Sequence, residues 1–327
     1  MKKEVMKGRT PKVIVIGGTH IDMAIRCTQI PSIGQYVSGS ALSYAIAGPG
    51  PIQAVQAALC GCEVSLISKI GSGSFAKMIL DGLAEYKINT DFVQCVKAKN
   101  TGVHVTMVNA EGENAGCFYT GANSAMVPMD ITAAEEIISE ADVCLMHGEL
   151  PQDTIVEAIR CAVLHGTKTI LDPARPLEQK GQESGELPAE YFSVDVIIPN
   201  LSEAADITDQ ASAGVRNGRL IGSDLIARGV KHAVITMGKR GCLVVDRNGA
   251  DHIPAFEVEL VNQSGRGDAF NGALAAYYAI EDDIRGAVKF ASAAGALTCT
   301  KFGLIEALPT KADIIQLLQN QDTEHEI

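Results

Sequence analysis

Long apolar segments are missing from this sequence of 327 residues. No stretch reaches the about 18 uninterrupted apolar residues that indicate a membrane helix. The N-terminal segment Met1–Thr10 is polar and lacks the apolar centre of a secretory signal peptide. We therefore expect a cytoplasmic protein that does not enter a membrane.

Basic residues are few relative to acidic ones, since 27 Lys and Arg against 39 Asp and Glu leave a formal net charge of -12. Surplus negative charge repels a phosphate backbone or an anionic lipid surface. Nucleic acid and membranes are therefore excluded as expected partners. A small nucleotide is not excluded, because a few backbone amides and a metal ion outweigh diffuse surface charge at contact distance.

Cysteine pairs with metal-binding spacing are also absent. The nine cysteines are scattered, and the closest pair, Cys60 and Cys62, forms only a C-x-C. We expect most of them to be reduced and buried as small apolar side chains. Internal repeats and clean linkers are missing as well, so the sequence predicts a single domain over residues 1–327.

Short Val- and Ile-rich runs alternate with helical patterns, which is typical of βαβ units around a mainly parallel sheet. The predicted strands are Lys12–Ile16, Val64–Ser68, Val143–Met146, Thr169–Asp172, Val194–Ile198 and Ala233–Thr236. The predicted helices include Ile52–Leu59, Phe75–Tyr86, Asp153–Leu164 and Ser202–Ile207. The polar stretch Leu177–Pro188 indicates a solvated loop.

Two regions lack helical periodicity and break this rhythm. Gly34–Ala47 and Thr101–Tyr119 contain alternating runs such as Val103–Met107. They predict strands outside the main sheet, contributed by about residues 34–47 and 101–120. We expect these strands to form a small β-rich lid.

The most informative segment is Asn262–Ala273, a glycine-rich turn that runs into an alanine-rich helical stretch. Glycines let a backbone approach an anion closely, and the first amides of a helix have no internal acceptors. The segment therefore suits a phosphate cradle, with Asp268 beside the transferring phosphoryl group. An ordinary loop with a helix N-cap has the same pattern, so this turn alone does not decide.

Further motifs accompany this turn in the chain. They are Gly17–Asp22 (GGTHID), Asn200–Glu203 (NLSE), Thr236–Gly241 (TMGKRG) and Gly265–Asp268 (GRGD) with its continuation Phe-Asn-Gly-Ala. Together they resemble the ribokinase-like (PfkB) carbohydrate kinases over nearly the whole chain. The resemblance implies an α/β fold, a three-layer sandwich with a central, mainly parallel sheet and a small β-rich lid. It also implies ATP- and Mg²⁺-dependent phosphorylation of a hydroxyl on a sugar or sugar-like molecule.

The resemblance implies a role for each matching residue around the reacting groups. Asp268 would be the catalytic base, and the amides of Gly265, Arg266 and Gly267 would hold the γ-phosphoryl oxygens. The substrate-binding residues would be His20, Asp22, Gly48, Gly50 and Glu149. Asp22 would lie at the carboxyl end of the first strand, where open α/β sheets bind ligands, and His20 would share its face.

Three of the substrate residues also have a plain structural interpretation. Asp22 suits a cap or a turn, and His20 suits a buried structural position. Glu149 suits the first turn before a helix, where the dipole favours a carboxylate.

The nucleotide side is implied in the same way. The residues concerned are Asn200, Glu203, Thr236, Gly238, Lys239, Gly241 and Ser292. Mg²⁺ would be held through waters near Asn200 and Glu203, with no direct protein ligand assigned. The same spacing satisfies a helix capping box, and both interpretations can hold together.

The sequence departs from the family pattern in three segments. Ile52 stands where the family's G-G-x-G-x-N sugar loop has asparagine, so one hydrogen-bonding side chain is missing. Asn262 and Gln263 stand where an Asp-Thr pair often precedes the signature, so neutral side chains replace a carboxylate, which argues against activation by K⁺. Arg266 replaces a small residue and either contacts phosphate or points to solvent.

Two alternatives to a sugar kinase stay open at this point. One is a nucleoside kinase of the same fold, and the other is a non-catalytic binding or regulatory protein that kept the fold. An NAD-linked enzyme is disfavoured, because Gly17-Gly18 is not followed by the remainder of G-x-G-x-x-G. A homodimer through the lid is a further hypothesis.

Overall fold

The computed structural model describes residues 9–174, 186–211 and 214–324. The strands in these ranges are β1 Lys12–Ile16, β2 His20–Cys27, β3 Gly39–Ala47, β4 Glu63–Gly71, β5 Val93–Val96, β6 Gly102–Val108, β7 Asn114–Tyr119, β8 Val143–His147, β9 Lys168–Asp172, β10 Val196–Ile197, β11 His232–Thr236, β12 Cys242–Asp246 and β13 Gly249–Ile253. They form two separate sheets.

The helices connect and cover these strands. They are α1 Pro49–Leu59, α2 Ser74–Glu85, α3 Pro128–Thr132, α4 Glu135–Glu140, α5 Gln152–His165, α6 Leu201–Thr208, α7 Gly214–Arg228, α8 Arg266–Ile280, α9 Ile284–Thr298 and α10 Lys311–Glu324. Short 3₁₀ helices span Gly121–Ala125, Ala189–Phe192, Gly238–Arg240 and Ile305–Ala307.

The main sheet of the described residues has nine strands in the order β13-β12-β11-β10-β9-β8-β1-β4-β5. Neighbouring strands from β11 to β5 are parallel, whereas β12 and β13 are antiparallel additions at one edge. The carboxyl ends of the parallel strands therefore lie along one edge of the sheet. This is where open α/β sheets bind ligands.

Successive residues of a strand point to opposite faces of the sheet, and both faces here are apolar. Along β1, Val13 and Val15 join one buried cluster with α1, α2, α8 and α9, whereas Ile14 and Ile16 join a second cluster with α3 to α7. Helices thus cover both faces of the sheet. The predicted three-layer sandwich with a mainly parallel central sheet is confirmed.

The second sheet, which we call the lid, has the order β3-β2-β6-β7. Strand β2 pairs antiparallel with β3 and parallel with β6, and β6 pairs antiparallel with β7. The predicted small β-rich lid is confirmed, although its first predicted segment forms a strand only from Gly39. The lid also contains β2, a strand that was not predicted from the sequence.

One expectation about Asp22 is wrong. The first strand of the main sheet ends at Ile16, and Asp22 is the third residue of the lid strand β2. It therefore does not lie at the carboxyl end of a core strand. Within the predicted loop Leu177–Pro188, only residues 186–188 belong to the described part of the chain, and they form no helix or strand.

The lid joins the core at a close crossing of two backbone segments. Gly50 N donates a hydrogen bond to Gly18 O at 3.0 Å, and a Cβ added to Gly17 would lie 2.8 Å from Gly50 N. Gly48, the N-cap of α1, has φ 97°, a conformation that L side chains rarely adopt. A side chain at these glycines would force the two segments apart.

Candidate active site

A group of polar side chains collects where the carboxyl ends of β8 and β9 meet α1, α8 and the lid. His147 and Asp172 are the last residues of β8 and β9 and are register partners. Glu149 follows β8 in the turn before α5. The topology thus brings together side chains that are far apart in the sequence.

Asp268 lies in the first turn of α8, which begins directly after Gly265. Gly265 has φ 75°, a left-handed conformation that glycine adopts without strain. The Asp268 carboxylate accepts a hydrogen bond of 2.9 Å at Oδ1 from Nε2 of Gln53 on α1. Burial raises the pKa of Asp268 above its ordinary value, although nearby His147 and the Gln53 hydrogen bond lower it. The raised pKa makes its carboxylate a better proton acceptor.

Asp172 is a second carboxyl group of the site, and its charge raises the pKa of Asp268. Asn271 Nδ2 donates to Asp172 Oδ2 at 2.7 Å, and the backbone amide of Ala174 donates to Oδ1 at 3.1 Å. His147 Nε2 lies 3.8 Å from Asp172 Oδ2. Burial raises the pKa of Asp172 to about 6 despite these hydrogen bonds. A negative charge at this position is therefore disfavoured.

His20 and Glu149 link the lid to the core. The Nε2 atom of His20 lies 3.3 Å from Glu149 Oε1, and both side chains are largely buried. Burial lowers the pKa of His20 to about 3, so the imidazole is neutral at physiological pH. The carboxylate also lies directly over Gly18, where a Cβ would meet Glu149 Oε1 at 1.9 Å. Glu149 lies in the turn before α5, which agrees with the interpretation of an acidic residue before a helix.

Asp22 faces the same space from the lid. It is paired across β2 and β6 with His104, whose Nδ1 lies 3.2 Å from Asp22 Oδ1. Burial raises the pKa of Asp22, against the influence of His104. Phe118 lies beside both histidines of this face, with its ring centroid 4.6 Å from that of His20. Asp22 and His20 therefore share one face of the lid, as predicted.

The departure at Ile52 is visible in the packing. Ile52 is buried on α1, and its methyl groups lie 3.9 Å from the position that a Cβ of Gly265 would occupy. An apolar side chain thus adjoins the turn that precedes Asp268. The backbone crossing described above requires glycine at the neighbouring positions Gly48 and Gly50. That these two glycines contact a substrate stays a prediction.

On the other side of α8 lies a cavity of about 810 Å³. It is lined by predicted nucleotide residues, namely Thr236, Gly238, Lys239, Gly241 and Ser292, together with Arg266 and Gly267. Phe256 and Leu260 contribute apolar walls. The side chain of Arg266 reaches toward Gly238, since its Nη2 lies 3.9 Å from the ideal Cβ position there. Arg266 is therefore part of the cavity lining.

Asn200 and Glu203 form the predicted capping box at the start of α6. Asn200 Oδ1 accepts from the amides of Ser202 and Glu203 at 2.9 and 3.0 Å, and Glu203 Oε2 accepts from the Asn200 amide at 2.9 Å. Asn200 also forms a β-bridge with Thr236. The capping interpretation is confirmed, and the bridge places the motif next to the cavity wall.

Comparison with known proteins agrees with this geometry. The family model described as pfkB family carbohydrate kinase matches residues 10–311. The chain belongs to this family.

Among curated proteins, the PfkB chain is 32% identical to a bifunctional ribokinase/ribose-5-phosphate isomerase A of Fructilactobacillus sanfranciscensis, over 97% of this chain and 58% of that protein. It is 30% identical to the deoxyribokinase of Salmonella typhi, over 91% of this chain and 95% of the relative. Among solved structures, Arabidopsis thaliana ribokinase complexed with ribose and ATP has a TM-score of 0.86 at 22% identity. That match covers 95% of this chain and 99% of the other, and it supports the ribokinase fold.

The chain is thus a carbohydrate kinase, a phosphotransferase with an alcohol group as acceptor. The alternatives of a nucleoside kinase and a non-catalytic binding protein are not favoured. No helix in the described ranges is long and apolar enough to cross a membrane. All nine cysteines are free, and seven of them are buried or partly buried, as predicted for most.

Several polar residues of the candidate site were not identified from the sequence. They are Gln53, His104, His147, Asp172 and Asn271. A signal existed for His147 and Asp172, because polar residues at the carboxyl ends of buried parallel strands point to a ligand site. Gln53 gave no such signal, since a glutamine in a helix is ordinary.

Proposed function

We propose that this carbohydrate kinase transfers the γ-phosphoryl group of ATP to a hydroxyl of a pentose or a related sugar, with Asp268 as the base. The observation that carries the proposal is the position of Asp268, between the cavity lined by Gly267 and the polar cleft beneath the lid. The names of the relatives, ribokinase and deoxyribokinase, support a pentose as acceptor.

The cavity is proposed to hold the nucleotide. ATP is the ligand named for the Arabidopsis structure of the same fold. The first amides of α8 lack intrahelical acceptors and suit the γ-phosphoryl oxygens. Arg266 would add a cation on the same side, and Lys239 with Gly238 and Gly241 would line the remainder of the nucleotide.

The cleft beneath the lid is proposed to hold the sugar. Carboxylates of Asp22 and Glu149 are strong acceptors for sugar hydroxyls. The neutral imidazole of His20 carries one N–H and one acceptor nitrogen, and its Nε2 already faces Glu149. Nδ1 of His20 has no hydrogen-bond partner among the described residues. It therefore remains available for a hydroxyl.

The reaction needs little covalent work from the protein. The substrate oxygen forms a bond to the γ-phosphorus while the bond from that phosphorus to the β,γ-bridging oxygen breaks, and the products are a sugar phosphate and ADP. Asp268 would orient the hydroxyl and take its proton as transfer proceeds. The lid would exclude water and so limit hydrolysis of ATP.

Mg²⁺ belongs to the proposal, with Asn200 and Glu203 as the residues that would hold it through waters. The fit is one of oxygen chemistry and location, because Asn200 forms a β-bridge with Thr236 of the cavity wall and the Glu203 carboxylate accepts a hydrogen bond from the Asn200 amide. One oxygen of Glu203 is engaged in the capping box, which favours indirect over direct coordination. When bound, the ion would neutralise phosphate charge.

A homodimer through the lid is also proposed. By register, Leu42, Tyr44 and Tyr119 lie on the lid face opposite Asp22, and their exposed fractions are 51%, 46% and 53%. Large apolar side chains gathered on one face favour association. Sedimentation should give a dimer mass for the wild type and a monomer mass for Tyr44→Lys with Tyr119→Lys. A cytoplasmic location and the absence of nucleic-acid binding stay predictions.

The activity is tested by measuring ADP release with pentoses, deoxypentoses, hexoses and nucleosides, each with Mg²⁺ and ATP. We expect turnover with at least one pentose and its loss in Asp268→Asn. Turnover restricted to nucleosides would contradict the sugar assignment. Full activity of Asp268→Asn would contradict the assigned base.

A further inference from the structure

Gln53 is the side chain in hydrogen-bonding contact with the proposed base. It is fully buried on α1, and its Nε2 donates to Asp268 Oδ1 at 2.9 Å. Its Oε1 has no hydrogen-bond partner in the described part of the chain. A buried polar atom without a partner costs about 1–3 kcal/mol. The unpartnered oxygen therefore offsets much of the stability that the hydrogen bond from Nε2 contributes.

The crossing of α1 and α8 sets the reach of this side chain. A Cβ added to Gly272 would lie 2.5 Å from Gln53 O and 2.8 Å from Gln56 Cβ. Only a residue without a side chain lets the helices approach so closely. Gly272 lies one helical turn after Asp268. The same close contact thus brings Gln53 against the carboxylate.

We propose that Gln53 is a positioning residue for Asp268, which holds Oδ1 so that Oδ2 is presented to the substrate hydroxyl. The inference rests on the proposed function. A carboxylate with one oxygen held has fewer orientations, and near-attack geometry depends on such restriction. An amide suits the task, because it donates a hydrogen bond without bringing a charge of its own.

The hydrogen bond has a second, electrical effect. Donation to a carboxylate favours its charged form, whereas burial and nearby Asp172 disfavour it. Gln53 therefore keeps Asp268 ionised at lower pH than burial alone would allow. Removing the donor should raise the pKa of Asp268 and move the acidic limb of the pH-rate profile to higher pH.

The test compares Gln53→Met with Gln56→Met. Gln56 is a matched control, because it is one turn further along α1, is also fully buried, and donates its Nε2 to Pro309 O at 3.0 Å, away from Asp268. A hydrogen bond to a charged group corresponds to about 10- to 100-fold in an equilibrium, so we expect a fall in kcat of that order for Gln53→Met. Its KM for ATP should stay unchanged. Gln56→Met should keep the wild-type pH profile and a kcat within about twofold.

A double-mutant cycle separates positioning from general damage. In the Asp268→Asn background the base is absent, so Gln53→Met should lower the residual kcat by less than about twofold. An equal fall in both backgrounds, or an unshifted acidic limb in Gln53→Met, overturns the proposal. If Gln53→Met does not fold, Gln53→Glu keeps the volume. It should move the acidic limb to still higher pH, because a second carboxylate opposes ionisation of the first.

One readout does not require turnover. The pH dependence of unfolding, compared between wild type and Asp268→Asn, reports the pKa of Asp268. The same comparison is then made between Gln53→Met and the double variant Gln53→Met with Asp268→Asn. It should show a higher pKa of Asp268 than in the wild-type background. An unchanged value overturns the inference about Gln53 even if no sugar is phosphorylated, whereas a raised value without any sugar turnover contradicts only the proposed function.

Discussion

Asp172→Asn should stabilise the protein at alkaline pH. The wild-type carboxyl has a folded-state pKa of about 6 against an ordinary value of 3.8, because burial disfavours its charge. This difference corresponds to about 3 kcal/mol. Since the folded state binds the proton more tightly than the unfolded state, the stability contributed by Asp172 is complete below pH 3.8. It is lost as the pH rises through about 6.

The substitution also has a cost that does not depend on pH. Asp172 accepts hydrogen bonds at both oxygens, from Asn271 and from the Ala174 amide. Asparagine has one side-chain oxygen, so one bond is lost, at about 1 kcal/mol. We therefore expect the variant to be about 2 kcal/mol more stable than wild type at pH 8 and about 1 kcal/mol less stable at pH 4.

Urea unfolding at both pH values measures these differences. Asp246→Asn is the control of opposite sign. Burial raises the pKa of Asp246, but hydrogen bonds from Arg285 and the Asn248 amide outweigh it and leave the pKa below its ordinary value. Asp246→Asn should be less stable than wild type at pH 8. The difference should become smaller as the pH falls through the folded-state pKa of Asp246. A loss for Asp172→Asn at pH 8 as large as at pH 4 would refute the reasoning.

Other predictions concern the reaction. Asp268→Asn should retain its fold and ATP binding but lower turnover by about two to four orders of magnitude; near-normal turnover beside an active wild-type control would contradict the assignment. Ile52→Asn should shift preference toward more hydroxylated sugars, because it restores a hydrogen-bonding side chain beside Gly265, and an unchanged substrate profile would remove Ile52 from the pocket. Turnover should require Mg²⁺ but respond little to K⁺, since Asn262 replaces a carboxylate and its Nδ2 donates to Gly303 O at 3.1 Å. Exchange of K⁺ for a large inert cation at constant ionic strength measures this, and several-fold activation by K⁺ would show an intact cation site.

Much of the core could be predicted from the sequence. The apolar runs at β1, β4, β8 and β9 are buried on both faces, so composition alone marks them as central strands. Strand β2 was missed because its residues, HIDMAIRC, are only half buried and mix polar with apolar side chains. The misplacement of Asp22 followed from that omission.

The site was predictable where a motif carries it and not where tertiary contact creates it. Asp268 and the residues around Gly238 lie in or beside glycine-rich turns. The backbone conformation that such a turn requires can be inferred from a few neighbouring residues in the sequence. The hydrogen bond from Gln53 to Asp268 joins α1 to α8, and no local pattern encodes that pairing. Asp172 likewise receives its raised pKa from burial beneath elements distant in the sequence.

The construction of the lid from two separated chain segments has a consequence for folding. Strand β2 pairs in parallel with β6, and α1, β4, α2 and β5 lie between these two strands in the chain. The pair can therefore form only after β6 has been synthesised and brought back to β2. Such distant pairing carries a loop-closure entropy that is offset only after the intervening core has formed. Asp22 and His104 should therefore meet late during synthesis and separate early on heating. Under the proposed function, molecules in which the lid has unfolded would lose the sugar contacts of Asp22 while the nucleotide cavity persists.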